Sequence, residues 1–107
     1  VVGASKAALE SLVRYLAVEL SPHNIVVTAV SPGIVLTDAL KHFEVLQQYS
    51  VIESTRQLTP AGRLVTPEDI AGVIAFLCSP QACMIRGQTI TIDGGITLLA
   101  PGIQPTL

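Results

Sequence analysis

The sequence predicts an α/β layered fold built on a parallel sheet, and three observations carry the prediction. Residues 4–20 hold an apolar stripe at helical spacing, residues 25–30 and 88–93 are short β-branched runs, and a helix start signal lies between those runs. The resulting order of helix, strand, helical stretch, helix and strand implies two parallel strands joined by a right-handed crossover. Two such strands cannot cover themselves, because parallel sheets are buried on both faces. The pattern therefore reads as part of a larger sheet.

The first helix is expected over Ala4 to Leu20. Leu9, Leu12, Val13, Leu16, Ala17 and Leu20 fall on one face, and Ala4, Ala7, Ala8, Ser11, Tyr15 and Val18 give a second face of mostly small residues. Such a helix can pack on a sheet and on another helix at once. Ser21 and Pro22 end it, since the residue before a proline avoids helical backbone. Ile25 to Val30, reading IVVTAV, has the length of a buried strand and no clean alternation. Ser31, Pro32 and Gly33 stop it in a loop.

From Asp38 to Leu58 the pattern is irregular and holds one or two short helices, with Asp38 placed to cap residues 39–43. Thr66-Pro67-Glu68-Asp69 is sharper: a threonine cap, proline at the first helical position and an acid three residues after the cap. The helix it opens is expected from Pro67 to Cys78. Gln88 to Asp93, reading QTITID, is the second strand, closed by Asp93-Gly94-Gly95. The domain is expected over residues 1–100, with 101–107 an irregular tail holding two prolines and a glycine.

Composition narrows the function classes. Of the 107 residues 50% are hydrophobic and only 13% charged, against roughly 25% charged in an average domain, so much of the apparent surface needs a cover. Six basic and eight acidic residues give a net charge of −2, with no basic cluster, which argues against nucleic acid and anionic membrane as partners. The uncharged stretch from Leu20 to Thr37 is broken by Pro22, His23 and Pro32, and the shorter one from Ile70 to Ile85 carries Pro80, so neither reads as a membrane span. Cys78 and Cys83, with four residues between them and only two histidines elsewhere, do not make a metal site. They read as reduced thiols of a cytoplasmic protein, acting as small hydrophobes.

Ligands of open α/β sheets bind beyond the carboxyl ends of the strands. The loop Ser31 to Asp38 occupies that place after the first strand, and its Pro-Gly lets backbone approach a ligand closely. Its N–H and C=O groups can read a planar amide edge, with Thr37 adding a hydroxyl. An ordinary strand-to-helix turn capped by Asp38 fits the same spacing. Lys6 lies near the start of the first helix, where a cation opposes the macrodipole by roughly 0.3 to 1 kcal/mol. A ligand hydroxyl or acidic partner would offset this, and a solvated side chain in the first turn is the simpler reading of Lys6 taken alone.

Three motifs, Gly3-Ala4-Ser5-Lys6-Ala7-Ala8-Leu9, then Val30-Ser31-Pro32-Gly33 with Thr37, then Gly87-Gln88 with Ile92-Asp93-Gly94-Gly95, together resemble the carboxyl-terminal half of a short-chain dehydrogenase/reductase. The resemblance runs from Val1 to about Leu99, with the motifs in the family's order and spacing. Thr37 to Phe43, Thr59 to Arg63 and Met84 to Gln88 look most like enoyl-acyl-carrier-protein reductase III.

The resemblance implies a Rossmann-type doubly wound parallel sheet of which this is the carboxyl-terminal part. It implies NADPH as cofactor, with NADH as the other option, an acyl-carrier-protein thioester as substrate, and a homo-oligomer, dimer or tetramer. It identifies Lys6 with the catalytic lysine that hydrogen-bonds the nicotinamide ribose and lowers the pKa of a catalytic tyrosine. It identifies Pro32, Gly33, Ile34 and Thr37 with the loop that holds the nicotinamide carboxamide, and residues 39–58 with the substrate loop.

The sequence departs from the commoner family pattern at Val2, which stands where a tyrosine four residues before the lysine is usual. Enoyl reductase III resembles this sequence better because its tyrosine lies seven residues before the lysine, just ahead of Val1. Tyr15 and Tyr49 match no motif, and Thr28 stands where many members have asparagine. These 107 residues alone are therefore expected to be inactive, lacking the tyrosine and the glycine-rich phosphate loop. The alternatives are a 3-oxoacyl-acyl-carrier-protein reductase or other short-chain dehydrogenase, and a non-catalytic assembly module in which the first helix and last strand form interfaces.

Overall fold

The computed structural model describes residues 2–35 and 45–99. In chain order these form helix α1 (Val2–Leu20), a 3-10 turn (Ser21–His23), strand β1 (Ala29–Pro32), helix α2 (Val45–Leu58), helix α3 (Pro67–Leu77), a second 3-10 turn (Pro80–Ala82), strand β2 (Thr89–Ile92) and a third (Ile96–Leu98). Among the described residues β1 and β2 pair as a two-stranded sheet. The pairing is parallel: the Ala29 N–H donates to Gln88 O and the Gly33 N–H to Ile92 O, so the register advances by the same four residues on both strands. The fold is the parallel α/β arrangement that the order of elements predicts, and the Rossmann-like fold that the resemblance implies. Among the described residues no helix is long and apolar enough to cross a membrane.

The chain divides into two compact units, Val1–Ser31 with Gly72–Ile90, and Pro32–Ala71 with Thr91–Leu107. In the first, α1 starts two residues earlier than the periodicity predicts, and the Ser5 hydroxyl donates to Val2 O at 2.8 Å. The earlier start moves Lys6 beyond the first turn, where the macrodipole penalty assigned to it has largely faded. Of the predicted core face only Val13 and Ala17 are buried, at i and i+4, while Leu9 and Leu12 are half exposed. The second face is open, with Tyr15 68% and Val18 76% exposed.

The helix ends where Ser21 and Pro22 predict. The Ser21 hydroxyl turns back to Ala17 O at 2.6 Å, and Asn24 takes a left-handed conformation while its N–H returns to Ser21 O. Arg86 ties this end to the loop before β2, donating to the Ser21 hydroxyl (2.8 Å) and to Cys83 O (2.8 Å). A Cβ on Gly87 would stand 3.2 Å from Ala17 Cβ, so the loop lies directly against the buried stripe of α1.

Strand β1 forms four residues later than its expected start and runs through Pro32 instead of stopping at Ser31. The cause is the partner. Before Ala29 the regular ladder gives way to a Gly87 N–H donating to Val27 O (2.7 Å), and at Thr28 the side chain takes the ladder's place, its hydroxyl donating to Gln88 O while the Gln88 N–H donates back to it. Cys78 and Cys83 are free thiols and both are exposed, so they do not serve as packed small hydrophobes. Both sit where α3 unwinds into the 3-10 turn Pro80–Ala82, and in that stretch Ala82 is the buried residue.

In the second unit α2 is a single 14-residue helix. Asp38, its supposed capping role and the tail 101–107 lie outside the described residues. Helix α3 starts as its sequence dictates. The Asp69 N–H donates to the Thr66 hydroxyl (3.3 Å) and the Thr66 N–H donates back to the Asp69 carboxylate (2.9 Å). This reciprocal pair is a capping box with aspartate as its acid.

Candidate functional site

The second unit holds a cavity of about 440 Å³ at the carboxyl ends of the two strands. Pro32, Gly33 and Ile34 bring the exit of β1 to it, and Asp93, Ile96 and Thr97 bring the exit of β2. Thr55 and Thr59 come from the end of α2 and the residue just after it, Leu64 and Val65 from the stretch before α3. Its place agrees with the rule that open α/β sheets bind ligands outside their strand ends.

Each wall is fixed by local chemistry. The Thr55 and Thr59 hydroxyls back-bond to Val51 O (2.7 Å) and Thr55 O (2.5 Å), turns that helix interiors offer to threonine. Leu64 and Val65 are buried, and Val65 pairs with Val35 in a parallel bridge just past the Pro32–Ile34 segment. Arg63 holds the same stretch from outside, making a forked ion pair with Asp69 (2.6 and 2.9 Å) and donating to Leu64 O (3.0 Å). The Arg63 guanidinium, aided by the Thr66 N–H, holds the Asp69 carboxyl far below the ordinary carboxylate range.

The turn after β2 is built on Asp93, whose residue is 8% exposed. Its carboxylate accepts from the Gly95 N–H (2.8 Å), the Thr97 N–H (3.2 Å) and the Thr97 hydroxyl (2.5 Å). The Thr97 hydroxyl, then the Gly95 N–H, keep the Asp93 carboxyl below its ordinary pKa, so it stays ionised. Gly94 must be glycine: its φ is +67°, and a Cβ there would stand 2.6 Å from Thr59 Cγ2.

Of the residues singled out from the sequence, Pro32, Gly33 and Ile34 come together on this cavity. Thr37 lies outside the described residues. Lys6 is an exposed residue of α1 and belongs to the other compact unit. Sequence reasoning gave no site role to Thr55, Thr59 or Thr97. It read Asp93 as the end of a strand and part of a family motif, and did not see that with the two glycines that follow it makes a tight carboxylate-capped turn.

The cavity suits a neutral, planar, hydrogen-bonding group. Among the described residues its lining includes no lysine or arginine, and the one carboxylate among them is engaged by its own turn, so none of them would neutralise a phosphate. Backbone of Pro32 to Ile34 and three threonines supply the polar groups, and Ile34, Leu64, Val65 and Ile96 supply apolar walls.

A family model described as "Enoyl-(Acyl carrier protein) reductase" matches residues 1–97. The chain is 40% identical over 99 residues to 1-cyclohexenylcarbonyl-CoA reductase of Streptomyces collinus, covering 92% of this chain and 35% of that protein. It is 44% identical over 91 residues to 7alpha-hydroxysteroid dehydrogenase of Escherichia coli K12, covering 85% and 34%. Among solved structures, Cj0485 dehydrogenase superposes with a TM-score of 0.82 at 29% identity, over 96% of this chain and 41% of that one. A 7 alpha-hydroxysteroid dehydrogenase complexed with NADH and 7-oxo glycochenodeoxycholic acid gives 0.76 at 43%, over 86% and 35%. The chain thus spans little more than a third of the length of these curated relatives.

Proposed function

From membership in the short-chain dehydrogenase/reductase family, to which this chain belongs, we propose that an intact protein carrying it is an NADPH-dependent enoyl-acyl-carrier-protein reductase. The observation that carries a dinucleotide site is the Pro32–Ile34 backbone at the strand ends, lining a cavity whose described residues include no cation and which has room for a neutral amide. NADH in the solved neighbours supports the nicotinamide class of cofactor. The description of the family model and the CoA derivative named in the Streptomyces relative support a thioester substrate and reduction of it.

A bound nicotinamide supplies the hydride that adds to the β-carbon of a trans-2-enoyl thioester. In this reading the backbone of Pro32 to Ile34, with the Thr37 hydroxyl, orients the carboxamide and so chooses the ring face presented to substrate. Lys6 hydrogen-bonds the ribose, and its charge lowers the pKa of the tyrosine that stabilises the developing enolate oxygen. The free thiols of Cys78 and Cys83 support a reducing, cytoplasmic setting. The open second face of α1, with Tyr15 and Val18 exposed, supports a homo-oligomer that covers it.

The test is an assay of the intact protein with NADPH and NADH against crotonyl and acetoacetyl thioesters. Faster NADPH oxidation with the crotonyl thioester is the expected outcome. Preference for the acetoacetyl thioester would replace the proposal with 3-oxoacyl reduction, in which hydride goes to a ketone carbon. Turnover of neither would leave the family's dehydrogenase chemistry on another substrate.

A further inference from the structure

We infer that Asp93 is a positioning residue for the Pro32–Ile34 segment, and that its carboxylate governs how tightly the nicotinamide end of a dinucleotide is held. The inference rests on the proposed function, in which that segment grips the carboxamide. It goes beyond that function by assigning the grip to a side chain that need not touch the ligand.

Two contacts connect Asp93 to the segment. The Gly33 N–H donates to Ile92 O at 2.9 Å, so the peptide entering Asp93 holds Gly33 in register. A Cβ on Gly33 would stand 3.0 Å from Asp93 Cβ and 3.1 Å from Asp93 Cα, so Gly33 lies directly on residue 93 with no side chain between. The position of Asp93 therefore sets the position of Gly33.

Asp93 in turn is fixed by its three carboxylate bonds to Gly95 and Thr97. All three close the same short turn, and together they leave neither the side chain nor the backbone of residue 93 free to shift. At the far end of the segment the Val35 bridge to Val65 provides a second support, on the stretch that Arg63 and Asp69 tie down. The segment is thus held at both ends before any ligand arrives. Amide recognition by backbone tolerates errors of only about half an ångström, and such fixed geometry is how that tolerance is met.

The test compares two probes on the intact protein: the nicotinamide dinucleotide, followed by its fluorescence, and the matching adenosine diphosphate ribose, which lacks the nicotinamide, followed by competition. Asp93→Asn puts an amide donor against the Thr97 N–H. It is expected to raise the dissociation constant of the dinucleotide by about tenfold or more while leaving that of adenosine diphosphate ribose within about twofold. Thr97→Val removes one of the three bonds and is expected to show a smaller loss in the same direction, and Thr97→Ser, which keeps the hydroxyl, to restore the discrimination.

Equal weakening of both probes, or unaltered binding in Asp93→Asn and Thr97→Val, overturns the inference while leaving the proposed function standing. A wild-type protein that binds the dinucleotide no better than adenosine diphosphate ribose overturns the proposed function itself. Should Asp93→Asn fail to fold, the Thr97 pair decides alone, since Thr97 is an exposed residue.

Discussion

Helix α1 and the stretch from Thr59 to Asp69 solve the same problem in opposite ways. The stretch is closed by the Thr66–Asp69 capping box and the Arg63 fork within it, and tied to the turn after β2 by the Ala61 N–H on Gly94 O. Helix α1 has 19 residues, buries only Val13 and Ala17, carries no acid in its first turn and leaves Leu9, Leu12, Tyr15 and Val18 exposed. The difference teaches that the cavity-bearing stretch is held largely by its own hydrogen bonds, whereas the helix bearing Lys6 leaves much of its apolar surface open.

The largest effect expected from that contrast is on turnover. Lys6→Ala in the intact protein is expected to lower kcat by about 10² to 10⁴ at saturating cofactor, a general-acid–base-sized loss, with the unfolding midpoint unchanged because Lys6 is exposed. Full turnover would return Lys6 to a solvated side chain and remove the catalytic half of the comparison.

On the other side, Gly94→Ala should be the most destabilising change, at the place where the cavity-bearing stretch meets the turn after β2. It meets both a left-handed φ and Thr59, and a cost of about 2 to 3 kcal/mol is expected by denaturant unfolding. Thr66→Ala removes the cap of α3 and is expected to cost about 1 kcal/mol, with Thr66→Ser recovering most of it.

The acid limb sharpens the comparison further. Arg63 and Thr66 depress the Asp69 carboxyl, and Thr97 and Gly95 depress that of Asp93. A depressed folded pKa stabilises above the unfolded value of about 3.9 and loses that contribution as pH falls through the folded one. Asp69→Asn and Asp93→Asn should therefore be less stable than wild type near neutrality and flatter in stability below about pH 4, checked by unfolding from pH 7 to pH 2. The smallest effect belongs to α1: Tyr15→Ser and Val18→Ser should change subunit stability by less than about 0.5 kcal/mol, while light scattering reports a lower assembly state.

How much was legible depends on the range of the interaction. Thr66-Pro67-Glu68-Asp69 could be read outright, because a capping box closes within four residues. Strand β1 was legible in kind and misplaced at its start, since IVVTAV has strand propensity throughout but the regular ladder with β2 begins only at Ala29. The same limit hid the exposure of Cys78 and Cys83, because composition cannot say which side of a helix end faces a neighbour.

The sequence by itself determined the order of elements, the parallel α/β arrangement, the end of α1 at Ser21-Pro22 and the family to which the chain belongs, all consequences of short-range pattern. Only the tertiary structure decided that Gly33 rests on Asp93, that Val35 bridges Val65, and that three threonines from separate elements close one cavity. Those contacts join residues up to sixty positions apart, and what fixes them is shape and hydrogen-bond geometry rather than any periodicity the chain could display.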